Sequence, residues 1–180
     1  MSHHRTILAT LTAAALTTAG MIITAAPASA TPTDLECTVG SQVNSYSPPL
    51  TNTTRSTTVS TDESFTCASL TNTITSGTSH RSGTFNASCL LSLQPPTASQ
   101  TAVYRWNNGT SSTITYVSDA VVTAANGSLL ITKVGAATAG VGIGQNATEV
   151  VAIPQLSVSA CAGTGITAQT GLATLEIAPA

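Results

Sequence analysis

Charge is what this 180-residue chain has least of: Lys, Arg, Asp and Glu together make up 7 % of it, and the formal net charge is −2. Beyond residue 30 the basic residues are Arg55, Arg81, Arg105 and Lys133, scattered along the sequence. No basic stripe exists to neutralise a phosphate backbone, which excludes nucleic acid and anionic membrane as partner classes. Close Cys-x-x-Cys or His-x-x-x-His pairs are absent, and His80 is the one histidine beyond residue 30. That spacing excludes a zinc site, and no metal or other cofactor is expected. There is no Gly-x-Ser-x-Gly elbow, and no window carries a convincing amphipathic helix.

What is present begins with an export pattern. A basic start, Met1-Ser2-His3-His4-Arg5, precedes an apolar run from about Ile7 to Ile23, then Pro27 and the small-residue triplet Ala28-Ser29-Ala30. Charge, apolar core and small-x-small site in that order predict a cleaved signal peptide over 1–30 and a single secreted domain over 31–180. A transmembrane anchor is the competing reading of the run. Thr10, Thr12, Thr17, Thr18, Gly20 and Thr24 dilute it, and a cleavage site follows. The expectation is an extracellular protein with no membrane attachment after cleavage.

Serine and threonine make up roughly a third of residues 31–180, far above average usage. Threonine is β-branched, so it favours extended backbone while offering a hydroxyl to water. Outward threonines can therefore keep a β domain soluble with few charges. Val, Ile and Leu recur through the same stretches, which argues against a disordered stalk.

Period-two alternation dominates the rest. Leu35, Cys37, Val39 and Val43 share a face, as do Val59, Phe65 and Cys67, and then Phe85, Ala87, Cys89, Leu91 and Leu93. Asn72 to Arg81 reads as a loop. Asn108-Gly109 and Asn126-Gly127 mark hairpins, with a type I′ turn expected. A Gly-rich turn at 140–144 leads to a strand over Glu149–Ile153, which Pro154 kinks or places at an edge. Leu156–Cys161 alternates again, and Leu172–Ile177 closes the chain. The fold class is all-β: an antiparallel, Ig-like β-sandwich of about seven to nine strands, stapled by disulfides. Cys89, Trp106 and Cys161 occur in the order of the Ig hallmark.

Four cysteines, Cys37, Cys67, Cys89 and Cys161, make two disulfides the expected outcome in an exported chain. Four cysteines allow three connectivities. The pairing expected is Cys37 with Cys67 and Cys89 with Cys161, because each pair joins strands of matching inward phase.

Candidate chemistry is thin. His80 sits among Ser and Gly residues, and a triad would need it beside a serine and an acid. Asp62-Glu63 would point to opposite faces of a strand. Glu36, Asp119, Glu149 and Glu176 read as exposed, solvated carboxylates. One constellation suits binding: Tyr104, Trp106 and Tyr116 flank the Asn107-Asn108-Gly109 turn, with Arg105 in the opposite phase. Such rings can stack on sugars, but a β core also takes its tryptophan inside, and core packing is the expected use.

Glu36-Cys37, the segment from Tyr46-Ser47-Pro48-Pro49 to Thr53, Trp106-Asn107-Asn108-Gly109, Ala147–Val151 and Ala173–Ile177 run collinearly. In these the chain resembles a group of small secreted β proteins from Streptomyces and related actinobacteria. The resemblance implies a secreted source and supplies no functional residue. The function expected is non-catalytic: extracellular binding or a structural role, with an extracellular glycan or protein as the partner classes left open. The alternatives are a protease inhibitor presenting Thr71–Gly83, or a carbohydrate-binding module using Tyr104, Trp106 and Tyr116.

Overall fold

The alternation becomes eight antiparallel strands: β1 Leu35–Leu50, β2 Arg55–Ser69, β3 Ser76–Ala87, β4 Gln100–Trp106, β5 Ser111–Thr123, β6 Leu129–Gly140, β7 Asn146–Ile153 and β8 Ile166–Ala178. A five-residue helix, α1 Val158–Ala162, precedes β8. The computed structural model describes residues 34–90 and 99–180. The expected leader over 1–30, and Leu91 and Leu93 of the expected third strand, lie outside the described residues.

Each strand pairs with the next, and β8 returns to β1, so the sheet is a closed barrel. This corrects the Ig-like sandwich. A sandwich needs connections that cross between two sheets. Here every neighbour in sequence is a neighbour in space, and Leu35 pairs with Ile177 to close the wall. An outward row that leaves β5 at Val122 passes through Leu130, Ala152, Leu172, Ser41, Ser64, Thr78 and Arg105, and regains β5 at Ser111. That stagger is the shear that tilts strands in a barrel.

Both expected disulfides form, Cys37–Cys67 and Cys89–Cys161. The first ties β1 to β2 near the end where the chain enters and leaves the barrel. That end is apolar, filled by Leu35, Phe65, Ile74, Trp106, Ala147 and Ile177. The second lies in a separate cluster with Leu50 at the opposite end. Trp106 is therefore not packed on the Cys89–Cys161 bridge, and the Ig hallmark does not hold.

Local phase explains other departures. A bulge near Cys37 keeps Leu35 and Cys37 inward but turns Val39 out, 66 % exposed, and brings Gln42 and Asn44 inside. Phe85 is exposed on the outer wall. The expected loop over Asn72–Arg81 is largely β3, because Thr- and Ser-rich sequence suits an outward strand face. Leu156–Cys161 is not a strand: Ser157 caps α1 by accepting from the Ala160 amide at 3.3 Å. The two Asn-Gly hairpins form, but only Gly109 and Gly127 have positive φ, so neither turn is type I′. In each, the glycine amide reaches back three residues, to the carbonyls of Trp106 and Ala124. That is a type I turn closed by a glycine bulge.

The outer wall of β1–β3 carries the hydroxyl side chains. Across neighbouring strands Ser41 meets Ser64 at 3.0 Å, Thr58 meets Thr84 at 3.1 Å and Ser60 meets Ser82 at 3.0 Å. Among the described residues no helix is long and apolar enough to cross a membrane.

Candidate functional site

The barrel interior holds what the composition made scarce. β2 points Glu63 inward, β3 Arg81, β6 Lys133 and β7 Glu149, and these four meet in the lumen. Arg81 grips Glu63 with two nitrogens, at 2.7 and 3.2 Å. Lys133 lies 2.9 Å from Glu149 and 3.9 Å from Glu63. Tyr104 of β4 donates to Glu149 at 3.0 Å, which leaves the Tyr116 hydroxyl of β5 to donate to Tyr104 at 2.8 Å. Lys133 also sits 5.8 Å from the centre of the Tyr116 ring. Both carboxylates are fully buried, which corrects the reading of Glu149 as a solvated group; Asp62 and Glu63 do face opposite sides of β2.

Burial dominates the electrostatics. It pushes the Glu63 carboxyl up to about 7, helped by the charge of Glu149 and opposed by Arg81 and Lys133. For Glu149 burial also acts upward, but Lys133 and Arg81 outweigh it and hold this carboxyl below its usual value. Desolvation raises the Tyr104 and Tyr116 phenols well above theirs. Of the two carboxyls, burial favours the neutral form at Glu63, while Lys133 and Arg81 favour the ionised form at Glu149. Each interior charge is answered by a neighbour, as a low-dielectric site requires.

The aromatic constellation is brought together, but inside. Tyr104 is 0 %, Trp106 4 % and Tyr116 2 % exposed. Tyr104 and Trp106 stack at 5.9 Å, and the indole donates to Ser112 at 3.0 Å. Arg105 points the other way, to solvent. Asn107 accepts from the Thr75 and Ser76 amides at 2.8 and 3.1 Å, and Asn108 accepts from Thr110. Both amides brace turns. The proposed sugar-stacking face of Tyr104, Arg105, Trp106, Asn107, Asn108 and Tyr116 is thus divided between lumen, wall and turn. The expected inhibitor loop Thr71–Gly83 is likewise mostly strand.

His80 faces outward on β3 and meets the Asp62 carboxylate at 2.7 Å; both are about two-thirds exposed. This supplies an acid and a base, and among the described residues no contact with a serine hydroxyl accompanies them.

The wall is weakest beside this pair. β2 and β3 are joined from Arg55 to Thr66. Among the described residues the β3–β4 ladder has three pairs, Gly77–Trp106, Thr78–Arg105 and Ser79–Tyr104, and just past it the Asn107 amide donates to the Ser76 carbonyl at 3.0 Å. Where that short ladder ends lies a cleft of about 610 Å³, lined by outward Asp62, Thr78, His80, Val103 and Arg105 and by inward Glu63 and Ser79. Successive strand residues face opposite sides. The Glu63 side chain is fully buried and the Ser79 hydroxyl is closed to solvent, so the cleft lies on the outer face and stops at the wall.

Sequence reasoning missed the lumen charges. The signal was phase: Lys133 alternates with Leu129, Ile131, Gly135 and Ala137, and Glu149 with Ala147, Val151 and Ile153. A charged residue in step with an apolar face is an inward charge. Among the described residues no cluster of His, Cys, Asp or Glu could hold a metal ion. Comparison with known proteins finds no matching family model, no matching curated protein and no matching solved structure.

Proposed function

We propose that this is a secreted, non-catalytic β-barrel protein that works outside the cell by binding. One observation carries the reading: the lumen is filled by side chains that answer one another, Arg81 with Glu63 and Lys133 with Glu149. A general acid or base needs a reacting atom within hydrogen-bond reach. The lumen carboxyls instead hold cations and a tyrosine. Recognition then falls to the outer wall and the cleft on it. Two disulfides suit an oxidising compartment, and the resemblance to actinobacterial secreted proteins supports the same location. A purely structural extracellular role is the second form of this reading, favoured by the hydroxyl array on β1–β3.

The test is expression of a C-terminally tagged chain in an actinobacterial host. The expected product is a supernatant protein whose mass corresponds to a start at Thr31, inert towards peptide, ester and glycoside substrates. A cell-retained chain with Met1 intact, or turnover of any substrate that His80→Ala or Glu63→Gln abolishes, would overturn the reading.

A further inference from the structure

We infer that Gln42, Glu63 and Ser79 form a proton-binding site inside the barrel, where the Glu63 carboxyl takes up one proton and with it ties β1, β2 and β3 together. The inference goes beyond extracellular binding: it concerns how the lumen responds to pH.

The three residues lie in one inward row. Gln42 of β1 is directly opposite Glu63 of β2, and Glu63 is directly opposite Ser79 of β3. Residues so placed have their Cβ atoms about 5 Å apart, so each neighbour is within reach of the carboxyl. All three are buried.

On either side of Glu63 stands an oxygen without a partner. Among the described residues neither Gln42 Oε1 nor Ser79 Oγ makes a hydrogen bond, and both are closed to solvent. A buried polar atom left unmet costs free energy, and almost all in folded proteins find a partner. The two have different needs. Gln42 Oε1 can only accept, whereas the Ser79 hydroxyl can donate. An ionised carboxylate is an acceptor alone and cannot answer Gln42. A neutral carboxyl has one O–H and one C=O. Turned to the row, it donates to Gln42 Oε1 and accepts from Ser79, so that one proton satisfies both.

The groups facing Glu63 set how firmly the proton is held. Burial acts first and favours the neutral form; Glu149 of β7 adds to it, and Arg81 of β3 and Lys133 of β6 oppose it. Tyr104 of β4 and Tyr116 of β5 are held neutral by burial. β1 and β8 bring no charge to the row, where Gln42 stands opposite Gly171. The balance leaves the carboxyl at about 7, with two states of similar free energy near neutrality. In the ionised state Glu63 holds Arg81 and the row is unmet. In the neutral state one lumen charge is given up and the row is joined.

Carbon-13 NMR of the glutamate side-chain carboxyls, titrated from about pH 4 to about pH 9, reads the site directly. The Glu63 signal is assigned by its loss in Glu63→Gln. Its expected midpoint is near neutrality. Gln42→Leu removes the acceptor of the neutral form, so the midpoint should fall by about one pH unit, a tenfold change. Ser79→Ala should lower it too, by less. Each variant removes an unmet buried oxygen, so at alkaline pH the melting temperature should stay level or rise, which separates a lost proton site from a lost fold. Thr84→Ala, on the outer wall of β3, should titrate as the parent does. A Glu63 midpoint at the ordinary carboxylate value would overturn the site. So would a midpoint that Gln42→Leu leaves unmoved, as when water answers the oxygen. A midpoint raised by Gln42→Leu would overturn it as well, because the Gln42 amide would then be donating to an ionised carboxylate.

Discussion

The six-membered edge of the Trp106 indole lies over Gly77, so close that a Cβ on Gly77 would come within 2.3 Å of two ring carbons. The glycine is what lets β3 pair with β4 at this level, and the ring in turn fills the apolar end of the barrel. Two substitutions should therefore act alike. Trp106→Ala should destabilise by roughly 3–5 kcal/mol through the cavity it leaves. Gly77→Ala should cost about 1–3 kcal/mol through overpacking. Urea denaturation measures both. For Gly77→Ala, the fluorescence of this single tryptophan should also shift to the red as the ring is displaced.

Stability should fall as pH rises from about 4.5 to about 7. The folded Glu63 carboxyl is raised from 4.5 to about 7, so across that window the native state binds more proton than the unfolded chain. The unfolded state then gains relative stability with each pH step, by at most about 3 kcal/mol in all. Glu149 has the opposite sign, with stability lost as pH falls below its ordinary value. The expected profile of denaturation midpoint against pH is a maximum on the acid side of neutrality. Glu63→Gln should flatten the limb above the maximum; an unchanged limb in that variant would refute the assignment.

Lys133 answers both lumen carboxyls, so its removal should be severe. Lys133→Met takes away the larger of the two cationic influences on buried Glu149, leaving Arg81 and the Tyr104 bond, and should cost about 3–5 kcal/mol. Removing both partners, Lys133→Met with Glu149→Leu, should recover much of that loss, because no uncompensated charge remains. A double-mutant cycle in urea measures the coupling; additive effects would show that the pair does not act as one.

The disulfides span sequence separations of 30 and 72 residues. In the chain-entropy model each contributes about 4 kcal/mol, the longer loop under 1 kcal/mol more. Non-reducing peptide mapping should return Cys37–Cys67 and Cys89–Cys161 peptides. Replacing either pair by serine should lower the melting temperature without changing the other bridge.

Much of the wall was legible along the chain because strand phase is a local property. Leu35 and Cys37, Phe65 and Cys67, and Ala173 with Leu175 and Ile177 all point inward as their spacing demands, and the Asn-Gly pairs sit at hairpins. The Cys37–Cys67 pairing follows from the same phase; Cys89–Cys161 forms although neither cysteine lies on a strand, Cys161 being in α1. Bulges spoil the reading by single residues, as at Val39, because one extra residue reverses every face beyond it. Ser157 and the helix it caps were hidden because a six-residue alternation is too short to separate strand from a single helical turn.

Closure was not legible. Alternation is identical in a sandwich and a barrel, and only the pairing of β8 with β1 distinguishes them, a contact between residues some 140 positions apart such as Leu35 and Ile177. The candidate site depends on that closure. Glu63, Arg81, Lys133 and Glu149 sit on four different strands, and the sequence by itself assigns each a face but no partner. Only wrapping the sheet brings them to one axis, where low dielectric makes each charge need another. The cleft is likewise a tertiary outcome: it lies on the outer wall where the ladder between β3 and β4 stops after three residue pairs.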